Sequence, residues 1–245
     1  MRLKTSMKKI FFFLPIFFLW FPNVSHAAIS VDNSLSFTRV SSATVNTVSF
    51  TTAGSNRYLI VNVRLINGGT TATATYGGVS MTQIGTTVNP ATNNYLLTFG
   101  LANPALGANN IVVTANIAGY IDVTAASYDG ASSVEVISSG NSIPAASVDN
   151  TLTTLTDNSW MLVSFASGAP VTSVTNGVNR TYDSGGNNYS GINDSNAAIT
   201  PTGSYTITST RSSNLWWGWN QFALTPYVPT PSIPWILSSW IYWLF

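Results

Sequence analysis

From Val31 to Pro226 the chain is a succession of short runs rich in Val, Ile, Thr and Tyr, broken by Gly, Asn, Ser and Pro, and nowhere does it keep a helical period. That pattern leaves few ways to bury apolar surface other than stacking antiparallel sheets. Expected strands include Ser34–Arg39, Thr44–Thr52, Arg57–Ile66, Thr71–Tyr76, Tyr95–Leu101, Asn110–Asn116 and Ile121–Tyr128 in the first half. In the second half they include Val134–Ser138, Thr151–Leu155, Ser159–Ser167, Arg180–Asp183, Ala197–Thr200, Tyr205–Thr210 and Leu215–Leu224. Asn67-Gly68-Gly69, Gly77-Gly78, Asn89-Pro90, Asn176-Gly177 and Gly185-Gly186 supply the positive φ of tight turns. The expected fold class is all-β, an antiparallel β-sandwich.

Two runs indicate how that sandwich is buried. In Arg57–Arg64, Tyr58, Ile60 and Asn62 share one face, while Leu59, Val61 and Val63 share the other. Ser159–Phe165 is likewise apolar at both parities. A strand that is apolar on both faces is covered on both.

The same two runs align with each other, Asn56-Arg-Tyr-Leu-Ile-Val with Asn158-Ser-Trp-Met-Leu-Val. Thr75-Tyr-Gly-Gly-Val-Ser matches Thr175-Asn-Gly-Val-Asn-Arg, and Ala108–Asn116 resembles Thr202–Thr210. These pairs imply two degenerate repeats of about 100 residues, over 31–140 and 141–226. Ser138 to Asn150 contains a single Pro and does not read as a flexible tether, which favours halves interleaved in one large sandwich over two sandwiches in tandem.

Residues 1–27 have the parts of a secretory signal: a basic stretch (Arg2, Lys4, Lys8, Lys9), the apolar run Ile10–Phe21, and small residues around Ser25-His26-Ala27. Cleavage is expected before Ala28, giving a secreted or cell-surface protein. The body then carries five arginines (Arg39, Arg57, Arg64, Arg180, Arg211) against eight carboxylates, a balance of −3, with no basic patch for nucleic acid. It contains no cysteine, histidine or lysine, since His26 and the lysines lie in the leader. Ser-His-Asp and Cys-His catalysis and His/Cys zinc sites are therefore excluded, and no phosphate-cradling loop motif is present.

What remains is carboxylate, oxygen-ligand and aromatic chemistry. Glycoside hydrolysis requires a carboxyl pair about 5–9 Å apart, and the only candidates in sequence proximity are Asp129 and Glu135, whose bland readings are a turn residue and a solvated edge position. Asp183, Asn193 and Asp194 offer oxygen ligands for calcium, though the same residues are ordinary turn formers, and no other cofactor is expected. Trp217 and Trp219, with Tyr189, are the candidates for stacking on sugar rings; their bland reading is core packing.

The order N-R-Y-L-I-V-N-V, Y-G-G-V-S-M-T-Q-I-G, L-L-T-F-G-L-A-N-P-A-L-G-A-N-N-I-V-V and V-T-A-A-S-Y-D-G-A resembles a group of uncharacterised bacterial secreted and phage-associated β-sandwich proteins. The resemblance implies a jelly-roll or concanavalin-like architecture and an extracellular setting, without a reaction. Residues 227–245 change character: Val228-Pro-Thr-Pro-Ser-Ile-Pro-Trp235 precedes an apolar end rich in Trp, Tyr and Phe. This tail resembles the short C-terminal sorting signals of the PEP-CTERM type, with Thr230 in place of the acidic residue and without the basic end. It is too short to span a bilayer, which takes about 20 apolar residues, but suits membrane association. The expected function is that of a non-enzymatic cell-surface or extracellular-matrix protein for adhesion or assembly, with extracellular polysaccharide or other surface proteins as partners. The alternatives are a carbohydrate-binding module and a polysaccharide hydrolase or lyase.

Overall fold

The structure, a computed structural model, describes residues 26–89, 94–181 and 190–229; all but the last two residues of the expected leader, and the expected tail after Pro229, lie outside these residues. Strands β1 (Ser30–Thr52), β2 (Tyr58–Ile66), β3 (Ala72–Tyr76), β4 (Val79–Ser80), β5 (Thr82–Asn89), β6 (Asn94–Ala102) and β7 (Gly107–Asp129) come from the first half. Strands β8 (Ala131–Thr153), β9 (Trp160–Ser167), β10 (Val171–Thr175), β11 (Val178–Asn179), β12 (Ser190–Asp194) and β13 (Ser204–Pro226) come from the second. No helix occurs among the described residues. The fold is all-β and antiparallel, and sandwich-like.

The first half forms one sheet in the order β4-β3-β7-β2-β6-β5, with β1 also paired to β7. The second forms another in the order β10-β13-β9-β12-β11, with β8 also paired to β13. Among the described residues no ladder joins the halves, so their strands do not interleave. The change of sheet falls at Gly130, between β7 and β8, rather than at residue 140. Gly130 takes φ +68°, and a Cβ there would lie 2.3 Å from the Ala28 carbonyl oxygen, so the connection is a single glycine turn in place of a tether.

Strands β1, β7, β8 and β13 are each 23 residues long, well beyond the five or six of an ordinary strand. Each turns a corner and contributes to two layers. In β7, Ala115 back to Ile111 pairs with β3, whereas Tyr120 onward pairs with β2. Register shifts mark the corners, around Ala43 in β1 and around Leu215 in β13, where extra residues let a strand bend. The first corner is crowded: a Cβ on Gly119 would stand 2.7 Å from the Ile66 carbonyl oxygen. The expected pairs of runs Ser34–Arg39 with Thr44–Thr52, Asn110–Asn116 with Ile121–Tyr128, and Tyr205–Thr210 with Leu215–Leu224 are thus single bent strands.

Two further expectations are corrected. Arg180 and Thr181 lie in a bend after β11, not in a strand. Around Ala197–Thr200 there is only an isolated bridge, Ser159 to Ile199.

Each folded-over sheet encloses its own core. In the first, Leu59, Val61, Val63 and Leu65 of β2 meet Phe99, Ile111, Val113, Ile121 and Val123. In the second, Met161, Val163, Leu152, Ile207 and Ala223 pack together beside Phe165, Val148, Val171 and Trp217. The opposite parity of β2 and β9 faces the other half: Tyr58, Ile60 and Tyr128 pack on Trp160, Leu162, Phe222 and Leu224. The two-sided burial read from both runs is what the structure contains. At the centre of that interface each sheet sends an amide into the other. Asn62 Nδ2 donates to the Phe165 and Gly191 carbonyls, both at 3.1 Å, and Asn220 Nδ2 donates to Thr98 Oγ1 at 2.9 Å.

Candidate functional site

Glu135 sits near the start of β8 and faces the turn that ends the same strand. Its Oε1 accepts the backbone N–H groups of Leu155 (2.9 Å) and Thr156 (3.0 Å), and its Oε2 accepts the Thr156 hydroxyl at 2.9 Å. The expectation of a solvated edge position is corrected: the carboxylate closes a turn. Asp129 accepts the Gly130 N–H at 2.9 Å, in keeping with a turn residue, and its side chain fills the space beside Gly54. Asp129 is thus held by the adjoining Gly130 N–H, and Glu135 by the turn at Leu155 and Thr156.

Asp194 ends β12 with its side chain fully buried. Arg180 engages both of its oxygens, Nε to Oδ2 at 2.6 Å and Nη2 to Oδ1 at 2.9 Å. Tyr128 of the first sheet donates its hydroxyl to Oδ2 at 3.0 Å, and the Asn196 N–H donates to Oδ1 at 2.9 Å. The two oxygens of Asp194, named above as a candidate calcium ligand, thus hold a guanidinium, a phenol and an amide. Asn193, its neighbour, points to the other side of the strand and donates to Ser209 Oγ at 2.9 Å. Asp183 lies outside the described residues, and among these no group of three His, Cys, Asp or Glu converges.

The electrostatics of this cluster follow from burial. The Tyr128 hydroxyl is pushed well above the ordinary phenol value, first because it is buried and then because the charge of Asp194 and the hydrogen bond to it favour the protonated form. Burial opposes the Arg180 cation, and the hydrogen bond and charge of Asp194 outweigh it, leaving the guanidinium raised.

Trp217 has none of its surface exposed. Its ring stacks on Phe165 at 4.9 Å between centroids and 8° between planes, and the Arg211 guanidinium lies over the same ring at 5.2 Å from its centroid. Trp219 is partly buried against the same interior, and Trp216 faces the first sheet, packed with Leu96 and Ala166. The parity expected for the three tryptophans is present, but the exposed side-by-side pair for sugar stacking is not. The reason is the corner of β13, which turns the strand so that this face closes over β10 and β8. Tyr189 lies outside the described residues.

Three arrangements escape the sequence. Asp32 of β1 accepts the Ala53 and Gly54 N–H groups and the Ser127 hydroxyl, the last at 2.8 Å. Arg211, buried with no ion pair to a carboxylate among the described residues, donates to the carbonyls of Ala145, Leu215 and Trp216 and to Ser167 Oγ, and burial lowers its guanidinium below the usual value. Finally, the Ala27 N–H donates to the Tyr227 carbonyl at 2.9 Å and the Tyr227 N–H to the Gly130 carbonyl at 2.7 Å. Entry of the chain, the junction of the halves and its exit therefore meet at one node, beside a cleft of about 450 Å3 lined by His26–Ile29, Asn158, Trp160 and Ala198. Only the Arg-Asp pairing had a sequence cue, the appearance of both residues close to β11 and β12. No family model matches the chain, and no curated protein is found as its relative.

Proposed function

We propose that this protein is an exported, non-enzymatic β-sandwich scaffold that serves adhesion or assembly at the cell surface or in an extracellular matrix. The observation that carries this reading is the employment of its reactive side chains. Glu135 and Asp32 close turns, Asp194 ties the halves together, and Trp217 fills a core. The low-charge Thr/Ser/Asn surface and the leader support export.

The finer architecture we infer is two jelly-roll-like repeats in tandem. In its support, β1-β7-β2-β6 in one layer lies over β1-β7-β3-β4 in the other, and the order β8-β13-β9-β12 repeats the first of these. The paired turn-closing carboxylates favour the same reading.

Fractionation with surface proteolysis tests the proposal. Cells expressing the full chain should yield a body that begins near Ala28 and is accessible to added protease, in the medium or on the surface. Retention in the cytoplasm with the leader intact would refute it.

A further inference from the structure

The two halves are built alike but filled differently. The interior of the first is largely apolar, and its polar side chains are paired: Tyr76 donates to the Phe50 and Gly107 carbonyls, and Asn46 Nδ2 to the Ile121 carbonyl at 3.0 Å. Into the interior of the second point Asn150, Asn193, Gln221 and the Trp217 indole. Their placement follows from register. Asn150 pairs with Ile207 between Val148 and Leu152, Gln221 lies between Trp219 and Ala223, and Gln221 and Asn193 flank Val163 from either side. All four are at least nine-tenths buried. Yet both polar atoms of the Asn150 side chain, Asn193 Oδ1, Gln221 Oε1 and Trp217 Nε1 have no hydrogen-bond partner among the described residues.

Leaving buried amides unpaired costs about 1–3 kcal/mol each, so native interiors avoid it. We propose that the interior of the second half is a hydration site that holds ordered water between Asn150, Asn193 and Gln221. The chemistry calls for a neutral guest that both donates and accepts, because the unpaired atoms include an amide N–H2, an indole N–H and amide oxygens. The guest is water-sized, because the layers are already stitched directly on either side. Gln221 Nε2 reaches the Thr151 carbonyl at 2.8 Å, and Asn193 Nδ2 reaches Ser209 Oγ at 2.9 Å. With about three hydrogen bonds per buried water, the five unpaired atoms take on the order of two waters. Val171 and Val174, which wall this interior, also line an outer cleft of about 260 Å3 with Gly177 and Asn179, which gives exchange with bulk a short path.

The test is a high-resolution crystal structure of the exported protein together with water-oxygen relaxation dispersion in solution. The expected result is density for about two waters within hydrogen-bond distance of Asn150. A matching population of long-lived waters should fall in an Asn150→Leu variant. Direct contact among the three amides with no density between them would overturn the proposal, as would density for a larger solute. The wild-type crystal decides the matter even if the variant does not fold.

Discussion

Asp32 and Glu135 stand near the starts of β1 and β8, and each carboxylate accepts the two backbone N–H groups just beyond the end of its own strand: Ala53 and Gly54 for Asp32, Leu155 and Thr156 for Glu135. A 23-residue strand that bends back over itself has its ends brought together only if something holds them. In both halves an acidic side chain does so, using N–H groups that would otherwise lack a partner at the turn. The only glutamate of the chain is in this sense an element of architecture.

Replacing Glu135 with Gln keeps the shape but removes the charge that two N–H groups and a hydroxyl converge on. Urea unfolding should show a loss of about 1–3 kcal/mol, and Asp32→Asn a loss of similar size. An unchanged midpoint in both variants would refute the clasp.

Trp217→Ala should behave as a core deletion. With the ring stacked on Phe165 and covered by Arg211, the expected cost is about 3–5 kcal/mol, with reduced recovery of soluble protein. A variant of native stability would show that the ring contributes nothing to the core.

Tyr128 links the halves through Asp194, and its hydroxyl is held protonated well above the ordinary phenol value. A raised folded-state value contributes stability that is complete below the unfolded value near pH 10 and is lost as the pH climbs past it. Wild-type stability should therefore fall with a steep slope above about pH 10. Tyr128→Phe should flatten that slope without removing it, because the buried Tyr58 is raised as well. Denaturation curves at successive alkaline pH values provide the check, and identical slopes would contradict the cross-sheet tie.

Gly130→Ala should damage the junction. The φ of +68° and the close Ala28 carbonyl together predict a loss of about 1–3 kcal/mol, read by thermal unfolding. Gly78→Ala, where φ is also positive but nothing lies near, should cost less.

Much of the fold was legible wherever a strand is straight. Alternation in Tyr58–Val63 assigns Leu59, Val61 and Val63 to one core and Tyr58 and Ile60 to another, and the parity of Trp216 and Trp217 is equally plain. The corners were not legible, because Ser41-Ser42 or Ala118-Gly119 punctuates a bent strand with the same residues that make a hairpin. The site residues were harder still. Glu135 and Asp32 bond to backbone N–H groups, which leave no side-chain signature, and Asp194 finds Tyr128 across 66 residues of chain. Trp217 looked available because a bend, invisible in the sequence, closes its face.

The account holds that the carboxylates of this body serve its architecture. Its most direct test is to measure reducing-end release by the purified protein across a broad polysaccharide panel, alongside the unfolding free energy of wild type and Glu135→Gln. The prediction is silence on every substrate for both proteins and lower stability for the variant. Turnover by the wild type that disappears in a Glu135→Gln protein of undiminished stability would contradict it.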